Sequence, residues 1–283
     1  MTDDLDQAAE QTVLLTVEGA IATLTFNRPD VYNSIDTRMA RRLSALALQV
    51  EQLEQVQVLI IRGAGKAFCA GGDINFFIKH AADLAPPITE LLTHLNAFLT
   101  TLKRMAALVI TSVHGVAAGA GFSLAFMGDY CIAAKSARFR PAYAALGVSP
   151  DAGGSYALVQ SLGARRALAV LLSPELGGDQ AVTLGLVTEQ VADAELEQVT
   201  LEFARNLVKL NPQALASTKQ LVWRASGHGL QQHLDAELHE MLKCMATPRF
   251  HETIRRFAEA RVVPAASQDG AGAYTGAVDQ PVQ

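Results

Sequence analysis

A long stretch without ionic side chains constrains this chain more than any other feature. Residues 106–127 contain no Asp, Glu, Lys or Arg over 22 positions, and such a length could cross a lipid bilayer. The stretch nevertheless contains His114 and three glycines, and it divides into a β-branched part, residues 107–113, and a small-residue part, residues 119–127. This division favours a buried strand followed by a helix, without a membrane segment.

The rest of the chain extends this alternation of strands and helices. Apolar and β-branched runs predict a hairpin at residues 13–26 and further strands at residues 56–62 and 129–134. From about residue 193 to residue 262 the pattern is helical throughout. We therefore expect an α/β fold. Its predicted divisions are a flexible N-terminus 1–10, a core 11–195, a helical region 196–264 and a disordered tail 265–283.

Composition excludes several classes of protein. The chain has 283 residues and a formal net charge of −5, so no basic excess points to nucleic acid. Three cysteines are widely spaced without a CxxC pair, which argues against a disulfide framework or a zinc site. The N-terminal residues are acidic and polar and do not resemble a secretory or organellar signal. We expect reduced thiols and a cytoplasmic location.

Two glycine-rich loops each join a predicted strand to a predicted helix. They are residues 63–73 (GAGKAFCAGGD) and residues 114–121 (HGVAAGAG). Glycine lets a ligand approach the main chain, and the start of a helix offers free N–H groups. A Walker A loop is excluded because Lys66 precedes Ala67. Taken alone, each loop is equally compatible with a tight turn that binds nothing.

Residues 121–125 (GFSLA) resemble a degenerate nucleophile elbow, which would make Ser123 an acyl nucleophile. The elbow requires its serine on the sharp turn that follows a strand. Here the predicted strand ends ten residues earlier, near Val113, so Ser123 is expected inside a helix. This spacing argues against a serine hydrolase.

Five motifs in order and at matching spacing resemble the crotonase (enoyl-CoA hydratase/isomerase) superfamily over residues 11–262. They are residues 27–29 (NRP), 65–73 (GKAFCAGGD), 114–121 (HGVAAGAG), 146–154 (LGVSPDAGG) and 181–187 (AVTLGLV). The resemblance implies a spiral of ββα units followed by a helical trimerisation region. It further implies an acyl-CoA thioester substrate and a homotrimer, or a hexamer built as a dimer of trimers. Coenzyme A is part of that substrate, so no separate cofactor and no metal is expected.

The resemblance also implies a site. The backbone N–H groups of Gly72 and Ala120 would hold the thioester oxygen in an oxyanion hole and stabilise an enolate. Contacts to coenzyme A would come from both ends of the chain. Phe68, Ser123 and Tyr143 would contact the substrate, with Phe68 and Tyr143 as apolar surroundings. The implied coenzyme A contacts are Val31, Tyr32, Lys66, Ala70, Phe257 and Arg261.

The acids of the site differ from those of the family's hydratases. The hydratases use two glutamates, and by the resemblance Ser123 and Tyr143 stand at those two positions in this chain. Neither residue is a good general base near pH 7. Asp151 remains, where isomerase-like members have an acid. We therefore expect an isomerase with Asp151 as its single base, and Glu90 as a reserve acid. Alternatives are hydration or other crotonase chemistry (hydrolase or lyase), a binder of acyl-CoA without catalysis, and a purely structural Asp151 that caps the following helix.

Overall fold

The computed structural model describes residues 11–262. The predicted flexible N-terminus and the predicted tail at residues 265–283 lie outside the described residues. Within the described part, no helix combines the length and the hydropathy needed to cross a membrane. The stretch at residues 106–127 instead forms two short strands and a helix of six residues.

A six-stranded sheet forms the centre of the fold, in the order β1-β2-β3-β4-β6-β9. β1 and β2 are the predicted hairpin, and the remaining neighbours are parallel. All six residues of β4 are buried, as expected for a parallel strand covered on both faces. The strands are β1 (Val13–Glu18), β2 (Ile21–Phe26), β3 (Val58–Gly63), β4 (Leu108–Val113), β6 (Tyr130–Ala134) and β9 (Glu189–Val191).

A second sheet of three short strands, in the order β5-β7-β8, was not expected from the sequence. β5 (Val116–Ala118) is parallel to β7 (Arg138–Arg140), just as β4 is parallel to β6. β7 pairs antiparallel with β8 (Leu176–Gly177). Successive turns of the chain therefore add one strand to each sheet, which is the ββα repeat of a spiral.

Helices cover both faces of the large sheet. They are α1 (Thr37–Glu51), α2 (Ile74–Lys79), α3 (Ala85–Arg104), α4 (Ala120–Ala125), α5 (Gly154–Leu171), α6 (Gly178–Thr183), α7 (Leu196–Val208), α8 (Pro212–Ala225), α9 (Leu230–Met245) and α10 (Pro248–Val262). On one face, α1 and α3 place Leu43, Leu95 and Phe98 in the main core. On the other face, α7 packs Leu196 and Ala204 against the sheet in a second apolar cluster.

The last three helices leave much apolar surface uncovered. On α9, exposed apolar residues recur at intervals of three or four, which places them on one side of the helix. They are Leu230, Leu234, Leu238, Met241 and Met245. The predicted trimerisation through this region stays a prediction.

Candidate active site

Backbone pairing places the two glycine-rich loops side by side. The N–H of Cys69 donates to the Val116 carbonyl at 3.2 Å, and the N–H of Ala118 donates to the Cys69 carbonyl at 2.9 Å. A Cβ on Gly121 would lie 2.0 Å from the Cys69 oxygen. Only glycine therefore permits this approach of α4 to the first loop.

Two backbone amides remain available where the loops meet. The residues on either side of Gly72 bond to Ile35: the N–H of Ile35 donates to the Gly71 carbonyl, and the N–H of Asp73 donates to the Ile35 carbonyl. In a parallel bridge of this kind the N–H of Gly72 points away from Ile35. Ala120 is the first residue of α4, so its N–H has no acceptor within the helix. Among residues 11–262, neither amide donates a hydrogen bond.

Gly71 lies between these two amides. Its φ of +91° is strained for any residue with a side chain, and an added Cβ would lie 2.7 Å from the Ala118 oxygen and 3.2 Å from the Ala120 nitrogen. The absent side chain leaves the amides of Gly72 and Ala120 next to each other and open. Such a pair of donors can hold an oxyanion.

Asn33 and Arg28 fix the first loop, and the sequence analysis missed both. The buried Asn33 amide donates to the carbonyls of Ala67 at 2.8 Å and Phe68 at 3.2 Å. Arg28 forms an ion pair with Asp73 at 2.8 Å. The Asp73 carboxylate also caps α2 by accepting from the Asn75 N–H, as its position before a helix predicts. The only signal for Asn33 in the sequence was its position four residues after Pro29 of the Asn-Arg-Pro motif.

Ser123, Tyr143 and Asp151 form a chain of hydrogen bonds beside α4. The Ser123 Oγ lies 2.6 Å from the Tyr143 hydroxyl, which donates to Asp151 Oδ1 at 2.8 Å. Ser123 is fully buried, Tyr143 is 5 % exposed and Asp151 is half-buried. Ser123 follows Ala120 by one helical turn, so the chain begins on the face of α4 that starts at the open amide.

The surroundings of Ser123 and Asp151 exclude two of the alternatives that the sequence left open. Ser123 lies inside α4 and bonds to Tyr143, so it does not occupy a nucleophile elbow. The residue that caps α5 is Gly153, without a side-chain hydrogen bond, so the Asp151 carboxylate does not serve as a helix cap. Glu90 takes no part in these hydrogen bonds, because its carboxylate forms an ion pair with Arg41 at the protein surface.

The environment raises the pKa of several groups in the site. Burial raises the pKa of Asp151, while the hydrogen bond from Tyr143 opposes this shift. Burial, and next the Asp151 charge, raise the pKa of Tyr143, so its phenol stays protonated. Burial raises the pKa of Cys69 to about 12, and the Asp151 charge contributes to this shift.

The expected coenzyme A contacts divide between two clefts. Tyr32 and Ala70 are neighbours, since the Ala70 N–H donates to the Tyr32 carbonyl at 2.9 Å and the Tyr32 side chain is exposed. Val31 lines a cleft of about 580 Å³ that also contains Arg38 and Lys79. Lys66 lines a separate cleft of about 440 Å³.

Three other residues that were expected to contact the substrate line neither of these two clefts. The Phe68 side chain was expected to surround the substrate, but it is fully buried and packs against Phe26 with ring centroids 5.3 Å apart. It belongs to the main core, and the next residue, Cys69, pairs with Ala117 of the small sheet. Phe257 is exposed on α10. Arg261 belongs to the same helix, and its side chain lies outside the described residues.

Comparison with known proteins identifies the family. The family described as enoyl-CoA hydratase/isomerase matches residues 16–267. The chain belongs to this family. The resemblance to the crotonase superfamily that five motifs indicated is thereby confirmed, and the spiral fold agrees with it.

Relatives of this family member carry different names. It is 37% identical to the 1,2-epoxyphenylacetyl-CoA isomerase of Escherichia coli over 230 residues, which cover 80% of this chain and 87% of the relative. It is 31% identical to the trans-2-decenoyl-[acyl-carrier-protein] isomerase of Streptococcus mutans, over 88% of this chain and 95% of the relative. A probable enoyl-CoA hydratase of Rhodobacter capsulatus is 29% identical over 88% of this chain and 96% of the relative.

Solved structures share the fold of this family member. An enoyl-CoA hydratase from a Polaromonas species superimposes with a TM-score of 0.82 at 29% identity, covering 88% of this chain and 97% of that one. A putative enoyl-CoA hydratase from Thermobifida fusca in complex with acetoacetyl-CoA gives a TM-score of 0.76 at 27% identity, with 85% and 97% covered.

Proposed function

We propose that the protein is an enoyl-CoA isomerase that moves a double bond along the acyl chain of a coenzyme A thioester. The observation that carries this proposal is the set of acids in the site. By the resemblance, Ser123 and Tyr143 stand where hydratases have their two glutamates, and among residues 11–262 Asp151 is the one carboxylate that bonds to either of them. Hydration needs an acid and a base on opposite sides of a water molecule, whereas a double-bond shift needs one group that takes and returns a proton.

The proposed reaction uses the two open amides and the carboxylate of Asp151. The thioester oxygen accepts hydrogen bonds from the amides of Gly72 and Ala120, which makes the C2 protons of a 3-enoyl ester more acidic. Asp151 removes one C2 proton, and the electron pair spreads into a dienolate whose charge the two amides stabilise. The same carboxyl then returns the proton to C4, which leaves a 2-enoyl ester. A raised pKa of Asp151 suits a group that serves first as a base and then as an acid.

Substrate binding and assembly belong to the same proposal. The Thermobifida fusca structures in complex with acetoacetyl-CoA and with CoA support coenzyme A as the carrier of the acyl group. The exposed stripe on α9 supports association of three copies. The test is conversion of 3-enoyl-CoA to 2-enoyl-CoA by the wild-type protein and by Asp151→Asn. Only the wild-type protein should catalyse it, while the variant should still bind the ester.

A further inference from the structure

The hydrogen-bond chain through Tyr143 has a closed end. The Ser123 Oγ is fully buried, and a Cβ added to Gly154 would lie 2.1 Å from it. Among residues 11–262, Tyr143 is the hydrogen-bond partner of the Ser123 hydroxyl. A proton therefore cannot leave these hydrogen bonds through Ser123, and we interpret the bonds as holding the groups in place.

The direction of the bonds follows from the protons available. Tyr143 has one hydroxyl proton, and its raised pKa keeps that proton in place. When Asp151 is a carboxylate, Tyr143 donates to Oδ1, and Ser123 donates to the Tyr143 oxygen. Apart from Tyr143, the one donor to the Asp151 carboxylate among residues 11–262 is its own backbone N–H, and this bond also favours the charged form. The two oxygens of this carboxyl are thus not equivalent.

From this arrangement we infer that Tyr143 is a positioning residue, held by Ser123, which occupies Oδ1 of Asp151 and leaves Oδ2 as the atom that takes and returns the proton. The inference rests on the proposed function of Asp151. Protonation at Oδ2 leaves Oδ1 free to accept from Tyr143 in both states of the reaction. The chain therefore needs no rearrangement between the first and the second proton transfer, which keeps the carboxyl fixed while the proton returns to a different carbon.

The same bond sets the proton affinity of Asp151. A hydroxyl that donates to a carboxylate favours its charged form, so the hydrogen bond from Tyr143 opposes the effect of burial. Cys69, whose pKa the Asp151 charge also raises, stays a neutral thiol because burial raises that pKa to about 12. Loss of the Tyr143 hydroxyl should therefore raise the pKa of Asp151 without a competing titration.

The experiment measures kcat and KM for 3-enoyl-CoA against pH in wild type, Tyr143→Phe and Ser123→Ala. In Tyr143→Phe we expect kcat to fall about 10–100-fold while KM changes less than about 2-fold, because the base is misplaced and the oxyanion hole is intact. The acid limb of the pH profile should move to higher pH. Ser123→Ala should give smaller changes in the same directions. Tyr156→Phe, at a half-exposed position on α5, is the matched control and should behave as wild type.

A second measurement needs no substrate. The difference in Tm between each protein and its version with Asp151→Asn, followed against pH, reports the pKa of Asp151 through linkage. That pKa should be higher in the Tyr143→Phe background. An unchanged kcat and an unchanged pKa in Tyr143→Phe would overturn the inference, even where Asp151→Asn alone is inactive. Full activity of Asp151→Asn would instead overturn the proposed function itself.

Discussion

The Cα of Gly71 packs so closely against the start of α4 that an added Cβ would lie 3.2 Å from the amide nitrogen of Ala120. Gly71→Ala should therefore push apart the two amides that are proposed to hold the thioester oxygen. Loss of a donor of this kind typically lowers the rate about 100–1000-fold. We expect kcat/KM for 3-enoyl-CoA to fall by at least the lower of these factors.

A matched control separates crowding from backbone strain. Gly185 has a φ of +71°, yet a Cβ there would contact nothing within 4 Å. Gly185→Ala should lower Tm through the same kind of strain and leave kcat/KM unchanged. A folded Gly71→Ala variant with wild-type kcat/KM would show that the amides do not act together.

The pH dependence of the reaction should follow Asp151. The carboxylate is the base, so activity should be lost as the pH falls through the pKa of Asp151. Because burial raises this pKa, the midpoint of the acid limb should lie above the value of about 3.9 for an ordinary aspartate. An acid limb at or below that value, measured as kcat/KM against pH, would argue against a buried base.

The stability that Asp151 contributes to the fold should decrease as the pH rises, whereas activity should increase. A raised pKa means that the folded protein binds a proton at Asp151 more tightly than the unfolded chain does. The stabilisation that protonated Asp151 provides is therefore complete below the pKa of this group in the unfolded chain. It is lost as the pH rises through the higher pKa of the group in the folded protein. The Tm of Asp151→Asn minus that of the wild-type protein should therefore increase as the pH rises above about 3.9, the pKa of unfolded aspartate. A constant difference would contradict this account.

Lys103 offers a test of stability outside the site. Its Nζ lies 3.1 Å from the centroid of the Trp223 ring and has no hydrogen-bond partner among the described residues. Burial lowers the pKa of Lys103 to about 7, although the nearby Asp129 charge opposes the shift. The unfolded chain then binds more protons between about pH 7 and 10, so stability should rise with pH over this range.

Lys103→Met should remove that pH dependence. A buried donor without a partner destabilises by about 1–3 kcal/mol, and about 1 kcal/mol corresponds to about 2–4 °C in a chain of this size. We therefore expect Tm to rise by at least about 2 °C at pH 6, with the gain shrinking toward pH 10. Lys135→Met, at an exposed position, is the control and should change little. A Tm gain that does not depend on pH would contradict the assignment.

Association of three copies should depend on the stripe along α9. Leu238 lies at the centre of this stripe, and its side chain is 61% exposed. Light scattering of the wild-type protein should give a mass in solution of three times the 30.1 kDa of one chain, or six times that mass for a dimer of trimers. Leu238→Glu should reduce this mass, because a charge in an apolar interface is costly to bury. Leu48→Glu, at an exposed position on α1, is the control. A monomeric wild-type protein would contradict the prediction.

The sequence predicted the large sheet well, because its strands are apolar runs that are buried by helices on both sides. It did not predict the small sheet. β7 has the sequence Arg-Phe-Arg with one buried residue, and β5 lies within a glycine-rich loop. These strands form because β4 and β6 bring them together, so their pairing depends on distant residues. For the same reason the repeated ββα unit is visible in the backbone but not as a repeat in the sequence.

The site shows the same division. The spacing between strand and serine predicted Ser123 inside a helix, and the resemblance to the crotonase superfamily marked Gly72, Ala120 and Asp151 as candidates. The bond between Ser123 and Tyr143 joins residues 20 positions apart, and it depends on how the loop after β7 folds back over α4. The burial of Phe68 against Phe26 joins residues 42 positions apart, so the sequence pattern did not indicate it.

The most direct test of the account is an assay of 3-enoyl-CoA and, separately, 2-enoyl-CoA with the wild-type protein and Asp151→Asn. The account predicts that the wild-type protein converts the 3-enoyl ester to the 2-enoyl ester and adds no water to either. It also predicts that Asp151→Asn binds the ester without converting it. Addition of water to the 2-enoyl ester, or full isomerase activity of Asp151→Asn, would contradict the claim that Asp151 is the single base.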